Sequence, residues 1–312
     1  MRVLFWGTPE FATPALRALL GEGHDVVAVV TQPDAPDARH RSTLVPPPVK
    51  RVAQEESLPV FQPDRPRGDA FLAELKALEP EIGVVVAYGQ LLPDEVIALP
   101  PNGTLNIHAS LLPRWRGAAP IQAALLAGDT ETGVTIMRVV RKLDAGPVLL
   151  RLPTPVPEDE TYGELQLRLA ELGALAIVEA LALVGVGLAH EEPQDESLAT
   201  YAPKTVRANT RIDWTQSATH ISRAIRAYDP LPGAYTTRGG VEVKLFGARV
   251  VHGRHSGVAP GTVLEIDESG LLVACGTDAL RIAYVFPAGR RRLAALDWAQ
   301  GRGIATGDVL GA

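Results

Sequence analysis

The sequence predicts an α/β protein, with a doubly wound, mostly parallel sheet in an N-terminal domain and a small β-barrel after it. Three observations carry that prediction. The first half alternates buried-strand and helix-like segments; the last third breaks into short β-rich runs separated by glycines; and a polar, proline-containing stretch joins the two. A chain of 312 residues has material for two cores. The expected bounds are 1–189 for the first domain, 190–207 for a linker and 208–312 for the second.

The elements follow in order. Arg2 to Trp6 is an apolar run ending in Gly7-Thr8-Pro9, and Pro9 suits the first turn of a helix carrying Phe11, Leu16, Leu19 and Leu20 to Gly21. Asp25 to Val30, Glu81 to Ala87 and Gly103 to Ala109 read as further buried strands, with a helix through Phe71, Leu72, Leu75 and Leu78 between them. Pro120 opens a helix that ends at Gly128. Leu165 to Val184 is the most apolar long stretch, yet it holds Arg168, Glu171 and Glu179 and so reads as a core helix, with no membrane expected. In the last third, Val241 to Phe246, Gly261 to Ile266, Leu271 to Cys275 and Leu280 to Val285 have the spacing of barrel strands.

Composition narrows the functional classes. Cys275 is the single cysteine, no Cys/His cluster has zinc-ligand spacing, and no leader precedes the first strand, so a reducing cytoplasmic setting without structural metal is expected. Residues 1–207 carry 18 basic and 27 acidic side chains, a net of −9, whereas residues 208–312 carry 12 and 9, a net of +3. The second part is therefore the one compatible with a polyanion. Gly7-Thr8-Pro9-Glu10 lacks the Gly-x-Gly-x-x-Gly pattern, so no nucleotide cofactor is assigned.

The segment Thr104 to Ser110 carries the chemistry. Side chains alternate along a strand, which puts Asn106 and His108 on one face near the carboxyl end of a parallel strand, where open α/β sheets bind ligands. A loop with two arginines around a tryptophan follows, Ser110 to Gly117, and Leu143-Asp144-Ala145-Gly146 later supplies a carboxylate in a turn. Ser110 lacks the glycines of a nucleophile elbow, so no covalent intermediate is expected.

Asn106, His108 and Asp144 match the Asn-x-His and later Asp of the folate-dependent formyltransferases, which Leu105 to Gln122 and Gly133 to Gly146 resemble closely. Phe5 to Ala12, Thr31 to Asp34, Pro46 to Lys50, Leu58 to Pro63, Val84 to Pro93, Arg211 to Trp214 and Pro287 to Gly289 resemble the methionyl-tRNA branch of that family. The resemblance implies transfer of a formyl group from 10-formyltetrahydrofolate to the amino group of initiator methionyl-tRNA by a monomer. A sugar-amine N-formyltransferase with the same donor and an inactive RNA-binding homologue remain as alternatives.

Within that reading Asn106 and His108 donate to the tetrahedral oxyanion, and Asp144 orients His108 and favours its charged form. An α-amino group with a pKa of about 7.7 to 8.0 needs no strong base. The resemblance puts Ser110, Leu111, Leu112 and Pro113 in the folate surface, and Tyr88, Gly89 and Leu91 in the pterin pocket. It implies an OB-like barrel over 208–312 that binds tRNA, with Arg290, Arg291 and Arg292 among the phosphate contacts. The family's basic loop for the tRNA acceptor end corresponds to Pro33 to Pro48, which here offers Arg39 and Arg41 but no lysine cluster. The loop from Asp34 to Pro47 is expected to be mobile without tRNA.

Overall fold

The computed structural model describes residues 1–37, 43–253 and 257–311. They form two compact units: Met1–Pro120, Glu131–Pro155 and Gln166–Ala202 make the first, and Ile121–Thr130, Val156–Leu165 and Pro203–Ala312 the second. Among the described residues no helix is long and apolar enough to cross a membrane.

The first unit is built on a seven-stranded sheet. Its strands are β1 (Arg2–Gly7), β2 (Asp25–Val30), β3 (Val60–Phe61), β4 (Ile82–Val86), β5 (Thr104–His108), β6 (Glu131–Arg138) and β7 (Val148–Pro155), in the spatial order β7-β6-β5-β4-β1-β2-β3. The pairs among β1 to β5 are parallel, while β6 pairs antiparallel with β5 and with β7. Strands β1 and β2 are buried after their first residue, as both-face burial of a parallel sheet requires. The chain enters at the centre of the sheet, builds to one edge, then returns to the other side of β1. That makes the β1/β4 boundary the switch point, where the loops at the carboxyl ends diverge.

Helices α1 (Thr13–Gly21), α2 (Pro48–Glu55) and α3 (Asp69–Ala77) connect the early strands, and Pro14 opens α1. Leu4, Trp6, Val30, Leu75 and Tyr88 form one core cluster, with the Tyr88 ring edge-on to Trp6 at 5.1 Å. Helix α4 (Pro120–Ala127) precedes β6, and α5 (Tyr162–Gly185) buries Leu169, Ala174, Ile177 and Leu181. Gly173 lets α5 approach β5, since a Cβ there would lie 2.8 Å from Ile107.

The second unit is antiparallel: β8 (Tyr235–Arg238), β9 (Val241–Val251), β10 (Val263–Asp267), β11 (Gly270–Ala274) and β12 (Ala279–Pro287), in the order β8-β9-β12-β11-β10. The C-terminal segment bonds to both edges. Val263 donates to the Asp308 carbonyl, Leu310 to that of Gly261, and Gly311 to that of Thr237, so the segment bridges β10 to β8 and closes the barrel. Helix α6 (Ala218–Ala227), capped by Ser217, adds Ile221 and Ile225 to a core with Trp214, Val243, Leu280 and Trp298, the last from α7 (Ala295–Gln300).

Two differences from the linear division of the sequence have local causes. Residues 190–202 are not a free linker: Glu192 exchanges two backbone bonds with Val148, and Tyr201–Ala202 pairs with Arg116–Gly117. Short segments preceding residue 190 belong to the second unit, where Arg223 donates to the Ala127 carbonyl, Arg226 to that of Glu160, and Gly163 to that of Asp229.

Candidate active site

Asn106 and His108 end β5, and their face is opposite to Ile107, which packs on α5. His108 is buried, and both ring nitrogens have partners. Nε2 lies 2.9 Å from the Trp115 carbonyl, which can only accept, so Nε2 carries a proton and donates. Nδ1 lies 3.7 Å from Asp144 Oδ2, beyond hydrogen-bond reach but within ion-pair distance. Asn106 is half-buried, and among the described residues its side-chain amide has no hydrogen-bond partner. Nε2 is engaged by the Trp115 carbonyl, which leaves Nδ1 as the ring nitrogen on the Asp144 side.

The backbone around this pair is unusual at three positions. Trp115, Gly117 and Asp144 have φ of 62°, 117° and 49°. Asp tolerates the left-handed region because its short side chain can bond locally, whereas a bulky Trp there marks strain held by its surroundings. The surroundings are visible. The Trp115 N–H donates to Thr200 Oγ1 at 2.9 Å, and the Arg114 guanidinium lies 4.3 Å from the Trp115 ring centre. The Gly117 N–H donates to Asp144 Oδ2 at 2.8 Å.

Between Trp115 and Gly117, Arg116 is fully buried. Its guanidinium donates to Gln194 Oε1 at 3.0 and 2.8 Å and to both Glu196 oxygens at 3.1 Å. Arg116 and then Lys142 hold the Glu196 carboxyl down to about 2. Gln194 Nε2 in turn donates to the carbonyls of Asp144 and Gly146 at 2.9 and 2.7 Å. Sequence reasoning missed Gln194 and Glu196, which sit in a polar connection without a motif; only the fold brings them here.

The residues read as folate contacts divide. Ser110 is fully buried, its hydroxyl donating to the Arg114 carbonyl at 2.6 Å, and its carbonyl accepts from Thr135. Leu112 is buried with its N–H on Thr135 Oγ1 and its carbonyl on Arg151. The Tyr88 side chain is in the core, its hydroxyl pushed up to about 12 by burial, and its carbonyl accepts from Thr8 and Gln32. Ser110 and Leu112 thus have their polar groups bonded within the protein, whereas the Tyr88 hydroxyl is buried without a hydrogen-bond partner among the described residues. Leu111 and Pro113 are half-buried, while Gly89 and Leu91 are exposed beside the β1/β4 switch point.

Arg39 and Arg41 lie outside the described residues. At the ends of their loop, Ala35–Pro36 pairs with Leu44–Val45, and Asp34 holds Lys50 at 2.8 Å. On the second unit, Arg290, Arg291 and Arg292 are all exposed, and Arg292 also stacks 4.2 Å from the Phe246 ring centre and lies 3.6 Å from Asp229.

Residues 1–181 match the formyl transferase family, and residues 204–303 match the formyl transferase C-terminal domain. Methionyl-tRNA formyltransferases from Methylococcus capsulatus and Moorella thermoacetica are 48% and 45% identical, over 98% of both chains for the first and over 100% of this chain and 99% of the relative for the second. The chain belongs to the formyltransferase family, in the branch of these full-length relatives. Solved structures share the fold. HypX from Aquifex aeolicus in complex with tetrahydrofolic acid superposes with a TM-score of 0.66 at 20% identity, over 99% of this chain and 48% of that one. The methionyl-tRNA formyltransferase from Clostridium thermocellum gives 0.56 at 13%, over 81% and 95%.

Proposed function

We propose that this chain moves the formyl group of 10-formyltetrahydrofolate onto the amino group of initiator methionyl-tRNA, acting as a cytoplasmic monomer. The neutral amine attacks the formyl carbon, a tetrahedral oxyanion forms, and its collapse breaks the bond to N10 of the folate. The ammonium proton ends on that nitrogen, so no covalent enzyme intermediate is needed. Asn106 is the group to stabilise the oxyanion, because its amide is near the carboxyl end of β5 and has no hydrogen-bond partner among the described residues. His108 and Asp144 stand beside it, with His108 Nδ1 3.7 Å from Asp144 Oδ2.

The single observation that carries this reading is the convergence of Asn106, His108 and Asp144 at the carboxyl end of a parallel strand beside the switch point. Exposed Gly89 and Leu91, with half-buried Leu111 and Pro113, supply apolar surface for the pterin. The test is formylation, with 10-formyltetrahydrofolate, of methionylated initiator tRNA beside methionylated elongator tRNA and a nucleotide-linked amino sugar. Rapid reaction of the initiator alone is expected. Reaction of the amino sugar without reaction of the tRNA would replace this reading with a sugar-amine formyltransferase.

A further inference from the structure

The Asp144 turn is held from behind by one side-chain amide. Gln194 Nε2 has two hydrogens, and they go to the Asp144 and Gly146 carbonyls at 2.9 and 2.7 Å. Gln194 Oε1 has two lone pairs, and they receive Nε and Nη2 of Arg116 at 3.0 and 2.8 Å. Every bonding capacity of this amide toward these groups is used, and the guanidinium dictates which end is oxygen. Arg116 cannot swing away, since it is fully buried and its remaining edge is forked onto Glu196.

The same short segment controls the other partner. Trp115 presents its carbonyl to His108 Nε2, and Gly117 presents its N–H to Asp144 Oδ2. Arg116, Gln194, Asp144 and Gly117 therefore form a closed chain of covalent and hydrogen bonds, and Trp115, next to Arg116, ties His108 to it. Gln194 faces the back of the turn, so it acts through Asp144 rather than on substrate.

We infer that Gln194, oriented by Arg116, is a positioning residue that sets the placement of Asp144 against His108. The inference rests on the proposed role of that pair in formyl transfer. Without Gln194 the two carbonyls lose their donor, and Asp144, already at φ 49°, is free to relax. A displacement on the order of 1 Å in such a site costs up to about a hundredfold in rate.

The experiment uses Gln194→Met and Gln194→Glu in the full chain, each alone and combined with Asp144→Asn, with single-turnover rates and both KM values measured on the proposed substrates. Gln194→Met keeps length without polarity; Gln194→Glu keeps an acceptor for Arg116 but has no hydrogens for the two carbonyls. Both variants unpair groups around the buried Arg116, so circular dichroism and thermal melts are run alongside, and rates are compared at a temperature where each variant is folded. Each is expected to slow turnover by about tenfold to a hundredfold, with both KM values within about threefold, and to add nothing in the Asp144→Asn background. Full turnover in either folded variant, a loss carried by KM, or a loss that multiplies with that of Asp144→Asn would overturn the inference. Normal turnover of Asp144→Asn alone would instead remove the catalytic reading of the pair.

Discussion

Asp144 Oδ2 accepts the Gly117 N–H at 2.8 Å and lies 3.7 Å from His108 Nδ1, so one carboxylate oxygen is shared between a loop backbone and the imidazole. Its charge is thereby fixed in place before any substrate arrives, which is the condition for electrostatic preorganisation.

Asp144→Asn, His108→Ala and Asn106→Ala are each expected to lower turnover by at least about a hundredfold, since each removes positioning or transition-state stabilisation. Circular dichroism should stay native for all three. A well-folded variant with near-normal turnover would take that residue out of the mechanism.

Gly117 combines a φ of 117° with a tight approach: a Cβ there would lie 2.6 Å from the Ala202 carbonyl oxygen. Gly117→Ala is expected to destabilise by about 1–3 kcal/mol and to slow turnover as well, because relief of the clash moves the N–H away from Asp144. Thermal melts and steady-state rates check both halves; wild-type values for both would contradict the role of this contact.

Neutralising Arg290 and Arg291 together is expected to weaken tRNA binding and reduce the salt slope by about 2, one for each lost phosphate contact. Arg292 should behave differently. Its guanidinium lies over the Phe246 and Tyr284 rings, so Arg292→Ala is expected to cost about 0.5–1 kcal/mol of stability. An unchanged salt slope in the double variant would put the phosphate contacts elsewhere on the protein.

Replacing Arg39 and Arg41 by alanine is expected to slow formylation of charged tRNA severely and to leave folate binding intact, with their loop as the element ordered by the acceptor end. Equal loss of folate binding, or a normal rate on initiator tRNA, would reject that assignment.

Burial, then the Asp278 charge, pushes the Cys275 thiol up to about 12. It should resist alkylation in the native state at pH 8 and react once the chain is unfolded. An unfolded thiol ionises near about 8.5, so the folded state binds the proton more tightly, and stability should fall as pH rises from there toward 12. Rapid native-state modification would show that the second core opens.

Legibility in the sequence followed the range of the interactions. Strands β1, β2 and β4 were readable because burial on both faces writes continuous apolar runs, and β5 because Leu105 and Ile107 alternate with Asn106 and His108. Pro120 and the glycines punctuated the helices, whereas α1 starts at Thr13 with Pro14 in its first turn and not at Pro9. Strands β6 and β7 were not read as the antiparallel extension of the sheet, because strand direction leaves no mark in a pattern of apolar residues. Barrel closure by Asp308 to Gly311 was likewise silent, since it depends on backbone bonds that any side chains permit.

The sequence by itself determined the α/β and β-rich halves, the shared face of Asn106 and His108, and the presence of an Asp in a turn. Strand alternation and turn chemistry act over a few residues, so these are written locally. Only the tertiary structure decided that Asp144 meets His108, that Trp115 takes Nε2, and that Ser110, Leu112 and Tyr88 face inward. It alone joined Gln194 to a turn some fifty positions earlier in the chain. Such contacts depend on how the chain returns to the sheet, and a glutamine in a polar connection has the same local character whether it meets water or bonds the backbone of a distant turn.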